Sequence, residues 1–403
     1  MALNANYGAR GASDTAGICL CVPPEKTSKV ETRTAGHTIR GHRPEHTTGW
    51  LLEIVVMTRT FGGDYMKRHG GLFEKIVSKE NIELAYKKAK KKKTWQNSVK
   101  EVERDKDAKL EALRQSLIDG TFTTSKYKVK IIYEPKRREI FILPFYPDRI
   151  VQHAIMNVIA PLWDAMFIND SYACRQGKGQ HRGSWRCMQF TRRNAWVCQF
   201  DISKFYPSIP HDELMAVIQR KIKDKKVLAL LWNIIKSIGG EKNVPIGNYT
   251  SQWMGNLYLN ELDQEIKHKC HIRDFVRYCD DFLIFGKDKK TLNELADRVE
   301  AFVEERLHMK LSKRSLYPTS HGIDYLGYRH FPTGKILVRK STAKRTKQRM
   351  KEIPWELKHG KITKEQAEGK IASAHGWLKH ACTHHLRMAI HLDELKAEVE
   401  AME

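Results

Sequence analysis

The sequence predicts an α+β protein in which short buried strands deliver carboxylates to one place. Two stretches and their surroundings carry that prediction. WVCQFDI at 196–202 is an apolar run that ends on Asp201, and its length and composition read as a buried strand. FVRYCDDFLIF at 275–285 is two apolar runs that meet at Asp280 and Asp281, the pattern of a hairpin. Helical stretches flank both segments. At 403 residues the chain has length for two or three domains and a large core.

The elements follow in order. Residues 1–65 hold 8 of the 25 glycines and read as an N-terminal extension, disordered or the product of an upstream start. From Met66 a Lys-rich helical region begins, with Ser78 placed to cap the part starting at Lys79. Tyr127, Val129, Ile131 and Tyr133 alternate as a strand, a turn follows at 135–138, and 140–143 reads as its partner. Helices are predicted over 149–162, 211–238, 251–269 and 291–307. Short strands at 325–328 and 336–338 precede a helical C-terminal region.

Composition narrows the function classes. Lys and Arg number 71 against 47 Asp and Glu, a net charge of +24. Nearly all of that excess lies after residue 65, because the first 65 residues carry seven basic and six acidic groups. Such a balance suits a polyanionic partner. The longest apolar run, at 227–238, is broken by Lys236 and too short for a membrane span. No secretory signal opens the chain. The eight cysteines show no CxxC spacing, which argues against a zinc ribbon or a disulfide framework. The reading is a cytoplasmic, reduced, nucleic-acid-binding protein without a membrane partner.

Asp201 and the pair Asp280 and Asp281 are the sharpest candidates for chemistry. Carboxylates at the ends of adjacent strands converge, and a few carboxylates plus phosphate oxygens are what Mg²⁺ prefers. Two such ions serve nucleotidyl transfer by activating an attacking 3′-oxygen and stabilising a leaving pyrophosphate. An isolated Asp-Asp between apolar runs is more often a plain turn; the neighbouring text decides against that. FDISKFYPSI (200–209), PIGNYTSQ (245–252), YCDDF (278–282) and DYLGY (324–328) stand in this order. They resemble motifs A, B, C and E of reverse transcriptases, and the resemblance covers roughly residues 66–403.

That resemblance implies a right-hand polymerase with fingers, palm and a short helical thumb. It places fingers and the start of the palm at 66–200, the palm at 201–330 and the thumb at 331–403. It implies that Asp201 and Asp280 bind two Mg²⁺ ions, that the Ile202 carbonyl adds a ligand, and that Asp281 supports them. Tyr206 falls where the family has an aromatic gate against the ribose 2′-OH. Arg138 and Arg175 resemble residues that grip the dNTP triphosphate, a task suited to the guanidinium fork. Lys313 lies where a proton donor to pyrophosphate is often found, with Lys310 and Arg314 as competitors.

Motif B departs from the usual QGxxxSP. Ile246 replaces Gln and Gln252 replaces Pro, around Gly247. That form resembles the enzymes of diversity-generating retroelements, which copy a template-repeat RNA with errors at adenines. An aliphatic side chain beside the nascent pair cannot make a polar contact that depends on pair geometry, so discrimination falls. The resemblance implies an RNA template, a DNA or RNA primer, dNTPs and a small oligomeric accessory variability determinant protein in a bacterial or phage setting. Two alternatives stand beside it: a group II intron-like or other domesticated bacterial reverse transcriptase, and an RNA-binding scaffold with an inactive palm. Residues 335–351 carry eight basic groups and no acid, and Lys340, Lys344, Arg345 and Lys347 are the candidates for duplex phosphate contact. The six lysines of 87–93 are a second basic run. His375, His380, His384 and His385 lack metal-ligand spacing and are read as a surface set.

Overall fold

The computed structural model describes residues 68–133 and 137–402. The extension over 1–65, Met66 and the turn residue Pro135 lie outside the described residues. The chain divides into two compact units that are discontinuous in sequence. The first takes in residues up to Trp163 together with Pro210–Met254, and the second Asp164–Ile209 with Gly255–Glu403.

In the first unit, helix Lys79–Lys90 begins as the sequence predicts, with Ser78 Oγ accepting from Asn81 N at 3.2 Å. Strands β1 (Lys128–Ile132) and β2 (Arg138–Ile142) form an antiparallel hairpin with Ile132 opposite Arg138. Helix Ile150–Asp164 buries Ile150, Val151, Ala154, Ile155 and Ile159. The single helix predicted over 211–238 is two, His211–Gln219 and Lys225–Lys236. Asp224 makes the break: its carboxylate caps the second helix at Val227 N and also accepts from Leu72 N and Phe73 N at 2.9 and 3.0 Å. An aspartate that serves two helix starts is worth more there than inside a continuous helix.

The second unit is built on a four-stranded antiparallel sheet. Its strands are β3 (Trp196–Ile202), β4 (Phe275–Tyr278), β5 (Asp281–Gly286) and β6 (Leu311–Pro318), in the order β4-β5-β3-β6. Val197, Cys198, Phe200, Phe275, Phe282, Leu283 and Ile284 are fully buried. Register pairs Phe200 with Phe282, whose rings stack at 4.8 Å. β3 spans the predicted residues, and the hairpin at 275–285 forms. β6 was not foreseen, because LSKRSLYP alternates charge with apolar residues and buries little. The helix predicted over 251–269 starts at Tyr249 and runs regularly to Gln264 before a wider turn at Glu265–Lys269. Helix Gln180–Arg193 was also not foreseen.

A three-stranded sheet, β7 (Ile323–Tyr325), β8 (Tyr328–His330) and β9 (Ile336–Val338), precedes the C-terminal helices. Leu326 and Gly327, at φ +53° and +82°, make the primed two-residue turn that suits strand twist. The C-terminal helices Lys340–Lys358, Lys364–Lys379, His384–Ala389 and Leu392–Glu400 share a core of Met350, Ile353, Ala367, Ile371, Leu378 and Leu395. No helix among the described residues is long and apolar enough to cross a membrane.

Histidines tie these layers together. Ser184 Oγ is hydrogen-bonded to His330 Nε2 at 2.7 Å and to His380 Nε2 at 2.9 Å. His380 stacks on His181 at 4.5 Å, and His181 reaches the Tyr328 hydroxyl at 3.0 Å. His380, read from sequence as a surface residue, is thus part of a packed polar hub. Burial lowers His330 and His380 from the ordinary 6.5 to about 4. Neutral imidazoles stabilise the fold fully above pH 6.5, and that contribution is lost as pH falls towards 4. At ~1.36 kcal/mol per pKa unit, the fully buried His330 is worth about 3 kcal/mol over that window; His380, partly exposed, is worth less. Chemical denaturation between pH 7 and 4 will show a stability slope that His330→Gln flattens.

Candidate active site

The site residues of the second unit gather at one end of the four-stranded sheet. Asp201 is the penultimate residue of β3, with Asp281 of β5 opposite on one side and Lys313 of β6 on the other. Asp280 precedes Asp281 in the turn between β4 and β5, where Tyr278 pairs with Asp281. The register therefore brings the three predicted carboxylates together. A bulge between Asp201 and Ile202 shifts the pairing with β6, and such bulges re-aim side chains. Here it turns Ser312 so that its hydroxyl donates to the carboxylate of Asp201 and to the Asp201 carbonyl. Ile202 is buried and ends the strand.

Electrostatics follow from that crowding. The Asp281 carboxyl is raised to about 7, first by burial and then by the charges of Asp201 and Asp280. Its main partner is Gln199, whose Nε2 lies 3.4 Å from Asp281 Oδ1 and 3.2 Å from the Asp324 carbonyl. Gln199 Oε1 accepts from Lys313 Nζ at 2.9 Å and from the Tyr317 hydroxyl at 3.1 Å. Tyr325, of the fourth motif, donates to the Asp281 carbonyl at 3.3 Å. Hard anionic oxygens short of positive charge fit a divalent cation in chemistry. Among the described residues no group of three or more His, Cys, Asp or Glu side chains forms a ready cage, so an ion here would complete its shell with phosphate and water oxygens, the habit of Mg²⁺.

Arg277 holds the turn in place. Its guanidinium is completely buried, pairs with Asp263 at 2.7 and 2.6 Å, and reaches Asn256 Oδ1, Ser171 Oγ and the Cys279 carbonyl at 3.2, 3.1 and 3.0 Å. All five donors are thereby used, and the catalytic turn is tied to helix Tyr249–Gln264. Sequence reasoning passed over Arg277, Gln199 and Ser312. The signal was present for two of them: a lone Arg and a lone Gln inside otherwise apolar strands.

Tyr206 lies on the short helix Phe205–Ser208, its ring 4.9 Å from that of Phe205. A Cβ at Gly255 would stand 3.0 Å from Phe205 and 3.1 Å from Tyr206, so the helix approaches both rings only because that residue lacks one. Arg175 corrects the sequence reading. Its side chain is 7% exposed and bonded to Asp164 Oδ1 at 2.6 Å and to the carbonyls of Ile168 and Ser171 at 2.6 and 3.0 Å. It braces its own loop and has no fork left for a triphosphate.

Arg138, Ile246, Gly247 and Gln252 belong to the first unit. Phe141 N donates to the Ile246 carbonyl at 2.7 Å, which seats the motif B loop on β2, the strand that Arg138 opens. Arg138 is exposed, and Ile246 and Gln252 are half-buried. Gly247 has φ +120°, and a Cβ there would lie 2.5 Å from the Phe141 carbonyl oxygen. Gly247→Ala combines backbone strain of ~1–3 kcal/mol with a lost hydrogen bond of ~1 kcal/mol, and urea unfolding will register a loss of about 2–4 kcal/mol. Lys340, Lys344, Arg345 and Lys347 are exposed on helix Lys340–Lys358, and Lys340, Lys344 and Lys347 share one side of it by their spacing of four and three.

Comparison with known proteins agrees with this geometry. Residues 134–330 match the family described as reverse transcriptase (RNA-dependent DNA polymerase). Protein YkfC of Escherichia coli is 25% identical over 276 residues, covering 55% of this chain and 70% of YkfC. The group II intron-encoded protein LtrA of Lactococcus lactis is 24% identical over 341 residues, covering 66% of this chain and 54% of LtrA. The chain thus spans about half the length of LtrA. Among solved structures, the apo telomerase of Candida tropicalis superposes with a TM-score of 0.44 at 12% identity, over 69% of this chain and 63% of that one. Residues 134–330 are a reverse transcriptase domain, of the RNA-directed DNA polymerase class and the right-hand polymerase fold, with group II intron-encoded proteins among its homologues.

Proposed function

We propose that this protein copies an RNA template into DNA from a DNA or RNA primer, with Asp201 and Asp280 as the metal-binding carboxylates. The register that sets Asp201 against Asp281, with Asp280 in the adjoining turn, is the observation that carries the reading. Two Mg²⁺ ions, when bound, would activate the primer 3′-oxygen and offset charge on the leaving pyrophosphate. Asp201 and Asp280 would hold them, the Ile202 carbonyl would add a neutral oxygen, and Asp281 would support the pair from its place beside Gln199. Tyr206 excludes the ribose 2′-OH by contact. Arg138 grips the triphosphate, without help from Arg175. Lys313 is the proton donor to pyrophosphate once it leaves Gln199. Lys340, Lys344, Arg345 and Lys347 track phosphates of the template–primer duplex. In this reading 66–200, 201–330 and 331–403 serve as fingers, palm and thumb, and the enzyme works in the cytoplasm.

Within that activity, Ile246 and Gln252 favour an error-prone enzyme of a diversity-generating retroelement, assisted by an accessory variability determinant protein. The likeness to LtrA favours a group II intron-like enzyme instead. Primer extension on an RNA template followed by cDNA sequencing separates them. Errors concentrated at template adenines, and reduced by Ile246→Gln, support the mutagenic reading. Even, low error with the accessory protein present supports the intron-like one. No extension under any of these conditions sinks the polymerase and leaves an RNA-binding scaffold.

A further inference from the structure

The catalytic turn carries a second reactive group. Cys279 is its first residue, at φ +52°, and Asp280 is the next. The Cys279 side chain is hydrogen-bonded to that of Cys174, itself left-handed at φ +56°. Both thiols are half-buried, whereas Cys187 and Cys198 are sealed in the core. Backbone contacts keep the two in register. Ser171 bridges Arg277, Tyr172 N donates to the Arg277 carbonyl at 3.0 Å, and Asn256 Nδ2 donates to the Ala173 carbonyl at 2.8 Å. On the other side Arg277 holds the Cys279 carbonyl at 3.0 Å. Each cysteine thus stands one or two residues from a pinned point, facing the other.

We propose that Cys174 and Cys279 are an oxidation site for peroxide, and that the disulfide they form disables the catalytic turn. One thiol sulfur attacks a peroxide oxygen and breaks the O–O bond, giving a sulfenic acid and one water. The second thiol attacks that sulfur, the S–O bond breaks, and the S–S bond forms with a second water. The two thiols lose two electrons and two protons in all, and hydrogen peroxide takes them up. A disulfide needs its sulfurs about 2.05 Å apart, much closer than a thiol hydrogen bond. Cys279 is in the left-handed region and its carbonyl is held, so the movement falls on the turn and on the adjoining Asp280. A misplacement of about 1 Å at a reacting centre costs about 10²-fold in rate.

The loss of rate rests on the polymerase reading; the bond does not. The test treats the full chain with hydrogen peroxide, blocks remaining thiols by alkylation and digests with trypsin. Cys174 falls in peptide 150–175 and Cys279 in peptide 278–287, each with one cysteine. The expected product is the two peptides joined, two hydrogens lighter than their sum, with primer extension reduced about 10²-fold and restored by dithiothreitol. Cys174→Ser will show neither the joined peptides nor the loss, and will match the parent before oxidation. Peptides that stay separate, oxidation of Cys279 alone, or equal inactivation of Cys174→Ser overturn the proposal. If the untreated chain extends no primer, the joined peptides still decide the chemistry, and only the polymerase reading fails.

Discussion

Asp280→Asn will lower the rate of primer extension by about 10³-fold or more, because a metal-ligating carboxylate contributes several kcal/mol of charge stabilisation in the transition state. The same change will not weaken the fold. Asp280 is one of the charges that, with Asp201, push the Asp281 carboxyl up to about 7, so removing it relieves repulsion between like charges. Thermal unfolding of the variant will be unchanged or higher than the parent's while activity disappears, which separates a catalytic role from a structural one. Asp281→Asn will cost less, because that side chain already rests on Gln199 rather than on the open side of the site. Single-turnover extension at saturating dNTP reads both. An Asp280→Asn enzyme that retains a tenth of the parent rate would remove Asp280 from the chemistry.

How much of this was legible beforehand depended on the kind of residue. WVCQFDI read correctly as β3 because its apolar content is dense and its length is a strand's. YCDD read correctly as a turn between strands because Asp favours turns and apolar runs flank it. β6 escaped because Lys313 and Arg314 break the apolar pattern, although pairing with β3 covers its other side. The break at Asp224 was hidden because its value comes from Leu72 and Phe73, about 150 residues away in sequence. Arg175 misled for a related reason. A lone Arg beside a Gly-rich loop suggests phosphate, and only the fold reveals that Asp164 and two carbonyls occupy its donors. Pattern reports what a segment does by itself, and long-range polar pairing leaves little trace in pattern.

Arg277 offers the test of that last kind of residue. Arg277→Ala leaves Asp263 buried without a partner, in a place where neither side chain has any exposure. Breaking a buried ion pair from one side costs about 3–5 kcal/mol, and the variant will unfold at much lower urea concentration and extend primers poorly. That result alone does not distinguish a positioning role from loss of fold. Replacing both partners does. Arg277→Met with Asp263→Leu exchanges two desolvated charges for apolar groups of similar bulk, a change that is often neutral or stabilising. The double variant will therefore regain most of the lost stability. It still lacks the donor that holds the Cys279 carbonyl at 3.0 Å and the link to Asn256 and Ser171. Extension by the double variant will stay well below the parent, with the loss in kcat rather than in KM for dNTP, because the displaced group is the carboxylate next to Cys279 and not a residue that binds base or triphosphate. Full recovery of kcat together with stability would show that Arg277 only balances Asp263, and that the turn keeps Asp280 in position without it.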